Sequence, residues 1–201
     1  MERQELDGVQ IEYNAIRAEL VQTLSAKDQF VIAMYTLSLT ILGLIYTLNN
    51  LELIYLEFIV LIIFQTYLNT KTMKIAKIGA YIKVNIEPKI QGMKWEHINK
   101  MIDAEYRKQH MLSLGSKEVL RLIRRHGSFI LSVISLITYI FFSIKISNGN
   151  ISLGVNEGIQ IIICCMCVVF ILILNIEGTQ FYTVFDRYER ILLELNDRES
   201  K

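Results

Sequence analysis

The sequence predicts an all-α integral membrane protein, with four transmembrane helices in two hairpins and a helical cytoplasmic layer. Three observations predict it. Four apolar runs are nearly free of charge, two of the connections between them are short and polar, and Lys and Arg gather outside the runs. Hydrophobic residues make up 52% of the 201-residue chain, more than a soluble domain of this length usually carries. Charged residues still make up 20%, so charge must be sorted away from the apolar runs, and it is.

The runs are taken in chain order. Phe30 to Leu48 carries no charge, and Leu53 to Tyr67 carries only Glu57, with Leu51 and Leu68 extending it. Gly127 to Ile144 and Gly158 to Ile176 carry none; Lys145 and Glu177 stand just past their ends. Crossing hydrocarbon takes about 20 apolar residues at about 1.5 Å each, and each run is near that length. Buried core helices of soluble proteins run shorter and seldom lack charge for so many turns. The chain therefore divides into an amphipathic helix (1–29), a transmembrane hairpin (30–68), a basic helical segment (69–126), a second hairpin (127–176) and a closing amphipathic helix (177–201). The first 29 residues are polar and acidic, without the apolar core of a cleavable signal. The first span is then expected to act as the insertion signal.

Connections and charge set the expected topology. Only Asn49, Asn50, Leu51 and Glu52 separate the first two spans. Lys145 to Glu157, with Asn148, Gly149, Asn150 and Gly154, joins the last two. The middle segment holds thirteen of the 21 basic residues, and the two short loops hold Lys145 alone. Cationic loops stay inside the cell. The tails and the middle segment are thus expected to be cytoplasmic, with the short loops outside.

The tails carry helical stripes. Leu6, Val9, Tyr13, Ile16, Leu20 and Thr23 recur at alternating spacings of three and four, as do Phe181, Val184, Tyr188, Ile191 and Leu195. Each stripe needs a partner surface, within the chain or on another subunit. Both tail helices are expected to continue a membrane helix. The middle segment is expected to begin with a helix from Lys71 to about Glu87, ended or kinked by Pro88, the only proline. A short helix is expected over Trp95 to Gln109. Ser116 is a plausible N-cap, and the helix from Lys117 is expected to run unbroken into the third span.

The tails are acidic and the middle is basic, and three explanations are open. Acidic tails can dock on the basic middle. Lys71, Lys74, Lys77, Arg121, Arg124 and Arg125 lie next to spans and can attract anionic lipid head groups, each for about 1 kcal/mol. An anionic ligand such as a nucleotide or single-stranded nucleic acid is the third, and an oligomer would multiply the basic surface. Tyr81, Trp95 and Tyr106 lie nearby; they could stack bases or anchor the membrane interface. Glu87 and Glu96 flank a turn and are better read as helix caps or ion-pair partners than as a catalytic carboxylate pair.

Other chemistry is disfavoured. Cys164, Cys165 and Cys167 sit in one apolar run, away from His97, His110 and His126, so they read as packing or lipid-facing thiols. No HExxH, Gly-rich phosphate loop or GxSxG occurs, so no enzyme and no cofactor are expected. Ser38, Thr40, Gly43, Ser132, Ser135 and Thr138 read as helix-packing positions or as pore lining. With no mid-depth charge expected, a proton pump or charged-substrate transporter is disfavoured.

Ile78-Gly79-Ala80-Tyr81-Ile82, Ile86-Glu87-Pro88, Gly92-Met93-Lys94-Trp95-Glu96 and Glu12-Tyr13-Asn14-Ala15-Ile16-Arg17-Ala18-Glu19 resemble a group of small bacterial four-span membrane proteins. Within it the chain resembles the channel-forming effectors of Hailong anti-phage systems and, less closely, the membrane subunit of Kiwa systems. The resemblance implies a homo-oligomeric channel, a tetramer foremost. It also implies that short single-stranded DNA, made by a partner nucleotidyltransferase, keeps that channel closed until infection removes it. Charge and location, not the family, put such a ligand at Lys71, Lys74, Lys77, Lys83, Arg121, Arg124 and Arg125. They make Tyr81, Glu87, Trp95 and Glu96 structural or gating positions. The alternative is a membrane scaffold, without a pore, that recruits a cytoplasmic defence partner.

Overall fold

The structure is a computed structural model that describes residues 2–90, 116–146 and 155–199, with side chains over 7–90, 126–144, 158–178 and 180–198. The described residues are helical, with no strand among them. Four helices are long and apolar enough to cross a membrane, within Asp7–Leu48, Leu53–Lys89, His126–Ile144 and Gly158–Gly178. The chain is a multi-pass membrane protein by that measure.

Helix α1 spans Glu2–Leu48 without a break, about 70 Å at 1.5 Å per residue. Its Thr36, Thr40 and Thr47 hydroxyls donate to the carbonyls of Ile32, Thr36 and Gly43 at 3.0, 2.8 and 3.0 Å. Helices tolerate polar side chains in an apolar run when the hydroxyl is satisfied within the same helix. After Leu48 the chain reverses through Asn49, whose φ of 49° is left-handed. Asparagine accepts that conformation better than most residues. The Asn50 side-chain oxygen then accepts the Glu52 N–H at 3.0 Å, and Ile54 N–H donates to Leu51 O at 3.1 Å.

Helix α2 (Leu53–Tyr81) begins in the second apolar run and passes unbroken through the lysines beyond it. The helix expected from Lys71 is the continuation of the span. The helix widens to a π-helical turn over Ile82–Ile86 and tightens to a 3₁₀ turn over Glu87–Lys89. Pro88 sits in that last turn, where its missing N–H costs least.

Helix α3 (Ser116–Ile146) is kinked where an unbroken helix was expected: His126 has φ −116° and ψ 20°, outside helical values. Helix α4 (Val155–Thr179) and helix α5 (Phe181–Glu199) are separate, so the C-terminal helix does not continue the fourth span as expected. Gln180 is the break, and its carbonyl accepts the Val184 N–H at 3.0 Å to start α5.

The chain forms two compact units, each built from separated stretches. One, the bundle unit, comprises Asp28–Asn69 and Val119–Thr179; the other, the tail unit, comprises Met1–Lys27, Thr70–Glu118 and Gln180–Lys201. The bundle unit's core takes Met34, Ile41 and Ile45 from α1, and Ile54, Phe58, Leu61 and Leu68 from α2. Leu131 and Tyr139 come from α3, and Cys164 and Ile171 from α4. Positions three, four or seven apart keep one face of each helix inward. Ile32, Leu39, Ile59, Ile63, Phe141, Ile162, Met166 and Val169 point outward and are exposed. Apolar side chains inside and outside together suit lipid, where close packing rather than exclusion of water holds helices together.

The tail unit's core is smaller. Ala76 and Ala80 of α2, one turn apart and fully buried, receive Phe185 of α5, with Phe181, Val184, Tyr188 and Leu192 packed around them. The small side chains allow the close approach, and Phe185 fills it. On α5 the inward face therefore runs through Phe185 and Leu192, whereas Ile191 and Leu195 of the expected stripe are exposed. On α1, Val9, Tyr13, Ile16 and Leu20 are half-buried and Thr23 is buried, along the face the sequence pattern marks.

Candidate functional site

In the tail unit, α2 presents its lysines to both tail helices. Lys74 Nζ lies 2.7 Å from Glu19 Oε1 of α1, with about half of each side chain exposed. Lys83 pairs with Glu189 of α5, where both side chains are largely covered, at 18% and 20% exposure. Lys77 Nζ stands 4.8 Å from the centre of the Tyr188 ring, and Lys83 Nζ 5.8 Å from that of Phe185. Both distances allow cation–π attraction. Tyr81 donates to Glu12 Oε1 at 2.6 Å, and Asn196 Nδ2 donates to Asn85 Oδ1 at 2.9 Å. The hydrogen bond to Glu12, then burial, pushes the Tyr81 phenol above its ordinary range.

Of the predicted ligand-binding residues, Lys74 and Lys77 on α2 and Lys83 in the π-helical turn that follows it are thus each engaged by a tail side chain. Lys71 lies three residues before Lys74 on the same helix. Arg121, Arg124 and Arg125 lie on α3 in the bundle unit, and their side chains lie outside the described residues. Tyr81 is placed by its bond to Glu12, and Glu87 sits half-buried in the 3₁₀ turn. Trp95 and Glu96 lie outside the described residues, as does the helix expected over Trp95 to Gln109. Among the described residues, the contacts of the lysines are those expected of docked acidic tails. An anionic ligand at Lys74 or Lys83 would have to displace a carboxylate.

The bundle unit holds buried polar groups of two kinds. One kind is connected. Ser128 Oγ donates to Gln65 Oε1 at 2.5 Å, Gln65 Nε2 to Asn69 Oδ1 at 2.9 Å, and Asn69 Nδ2 to the Leu174 carbonyl at 2.7 Å. His126 Nδ1 lies 2.5 Å from Asn175 Oδ1, whose amide reaches Ser128 Oγ at 3.4 Å. The kink at His126 lets the imidazole join α4 in this network. Satisfied networks of this kind fix helix register in a low-dielectric interior.

The other kind is unconnected. Glu57 of α2 and Ser38 of α1 are both fully buried, at 0% exposure. Neither Ser38 Oγ nor either Glu57 carboxyl oxygen has a hydrogen-bond partner. Glu57 is the residue that sequence reasoning missed. Its signal was a lone carboxyl in an otherwise uncharged run. Burial, which sequence position does not report, makes it exceptional.

The three cysteines are free thiols, with Cys164 buried and Cys165 exposed. Among the described residues no group of three His, Cys, Asp or Glu side chains converges to hold a metal ion. Comparison with known protein families, curated proteins and solved structures finds no match to this chain.

Proposed function

We propose that this chain is the subunit of an oligomeric ion channel of the bacterial inner membrane, an effector of anti-phage defence that stops growth when it opens. Its four spans form two hairpins, with the tails and the middle segment in the cytoplasm. The observation that carries the reading is the row of α2 lysines held by tail side chains, on a helix continuous with a membrane span. A change in what those lysines bind can act directly on α2. A short single-stranded oligonucleotide, rich in phosphates, competes with Glu19 and Glu189 for the same cations, and the outcome sets whether the pore conducts. The resemblance to channel-forming Hailong effectors supports the same direction. The exposed apolar faces of the bundle helices supply surface for a tetramer as well as for lipid.

The test is current across a planar bilayer containing purified protein, with and without short single-stranded DNA. The channel reading expects discrete conductance that the oligonucleotide suppresses, and suppression that weakens as salt rises. A silent bilayer, with the protein inserted and folded, would leave the scaffold reading in its place.

A further inference from the structure

We infer that Glu57 is a reversible proton-binding site inside the bundle unit, built from its carboxyl group on α2 and the Ser38 hydroxyl on α1. Both groups are completely enclosed, and none of their three oxygens has a partner. An ionised carboxylate in that setting would have neither water nor a counter-charge. Protonation removes the charge and supplies an O–H donor, so the enclosed state suits the acid rather than its anion. Intramembrane carboxyl groups are rare, costly and usually functional, above all as proton carriers.

The neighbourhood favours a proton over a metal ion. Ca²⁺ takes six to eight oxygen ligands and Mg²⁺ demands a near-octahedral set. Here one carboxyl and one hydroxyl are enclosed together, and no cluster of further acidic, His or Cys side chains joins them among the described residues. Among the described residues neither ion pair involves Glu57. Uptake of a proton is therefore compatible with the packed helices, and its loss creates a carboxylate that must reach water or a cation. The site couples proton occupancy to the packing of α1 against α2. It does not depend on the channel reading.

A hydrophobic carbodiimide tests this on the full-length protein in liposomes. In an apolar setting a protonated carboxyl adds across a C=N bond of such a reagent, its proton passing to the nitrogen, and the O-acylisourea rearranges to a stable N-acylurea; dicyclohexylcarbodiimide is the probe. Peptide mapping of the wild-type protein is expected to find the adduct on Glu57. A water-soluble carbodiimide with an amine is expected to modify exposed carboxylates such as Glu52 and leave Glu57 untouched. As pH rises from mildly acidic to alkaline, labelling of Glu57 is expected to fall by about tenfold per pH unit once the carboxyl ionises. Glu57→Gln, which keeps the shape of the neutral acid, is expected to lose the adduct while keeping its elution profile. Absence of the adduct at Glu57 in folded wild-type protein would overturn the proposal. So would equal labelling by the water-soluble reagent, which means open access to water. Labelling that never changes with pH would overturn it too, as that describes a permanently neutral acid.

Discussion

The Tyr81 hydroxyl donates to Glu12 Oε1 at 2.6 Å, joining residues 69 positions apart. One lies on the N-terminal helix and the other at the last residue of α2, where the helix widens into its π turn. Tyr81→Phe removes this bond and keeps the ring. It is expected to cost about 0.5–1.5 kcal/mol, read as faster hydrogen exchange across residues 7–27. The pH dependence has a definite sign. The phenol's folded pKa is raised, so its contribution is fully present below about pH 10 and is lost as pH rises through the higher folded value. Wild type is expected to lose protection at strongly alkaline pH by a step that the Phe variant lacks.

The two ion pairs of α2 are expected to differ in strength. Lys74–Glu19 is about half exposed, and exposed pairs contribute only about 0.2–1 kcal/mol, less in salt. Lys83–Glu189 is largely covered and lies near the Phe185 ring. Double-mutant cycles to Ala are expected to give the larger coupling for Lys83–Glu189, within about 0.5–3 kcal/mol, and the weaker salt dependence. Equal couplings that vanish together in salt would contradict this.

Ala80→Leu is expected to disrupt the tail unit. Ala80 is fully buried against Phe185, and extra methyl groups in a filled site cost about 1–3 kcal/mol. Protease cleavage of α5 measures the loss. Ile191→Ala, at an exposed position of the same helix, is expected to leave cleavage unchanged.

Two glycines should respond oppositely to alanine. A Cβ at Gly178 would run into the Asn69 side-chain oxygen and approach Gln65, whereas one at Gly43 meets open space. Gly178→Ala is expected to break the Asn69 bond to the Leu174 carbonyl and lower the thermal stability of the detergent-solubilised protein. Gly43→Ala is expected to be neutral or stabilising, by up to about 1 kcal/mol, since glycine weakens helices.

What the sequence revealed follows its periodicities. Four apolar runs and the stripe from Val9 to Thr23 were readable because helix geometry repeats every 3.6 residues and lipid excludes most charge. The end of the fourth span was not. Gln180 is no helix breaker by propensity, and α5 packs through Leu192 while Ile191 is exposed. The kink at His126 stands next to Gly127 and Ser128, and the imidazole's contact with Asn175 is tertiary, which periodicity does not report. At the candidate site, the opposite charges of tails and middle segment were plain, but which lysine meets which carboxylate depends on contacts between residues about 55 and 106 positions apart. Glu57 was visible as a letter, and its isolation became visible only with the fold.

Everything proposed for this chain rests on its four apolar helices crossing lipid with both tails on the cytoplasmic side. Cysteine accessibility in intact cells tests that most directly. Single cysteines at Glu52, Lys89 and Arg187 would be introduced after replacing the native three with serine. The account predicts that an impermeant maleimide labels the Glu52 position in intact cells, and the Lys89 and Arg187 positions only after permeabilisation. Labelling of Lys89 or Arg187 from outside, or of all three only after lysis, would contradict it.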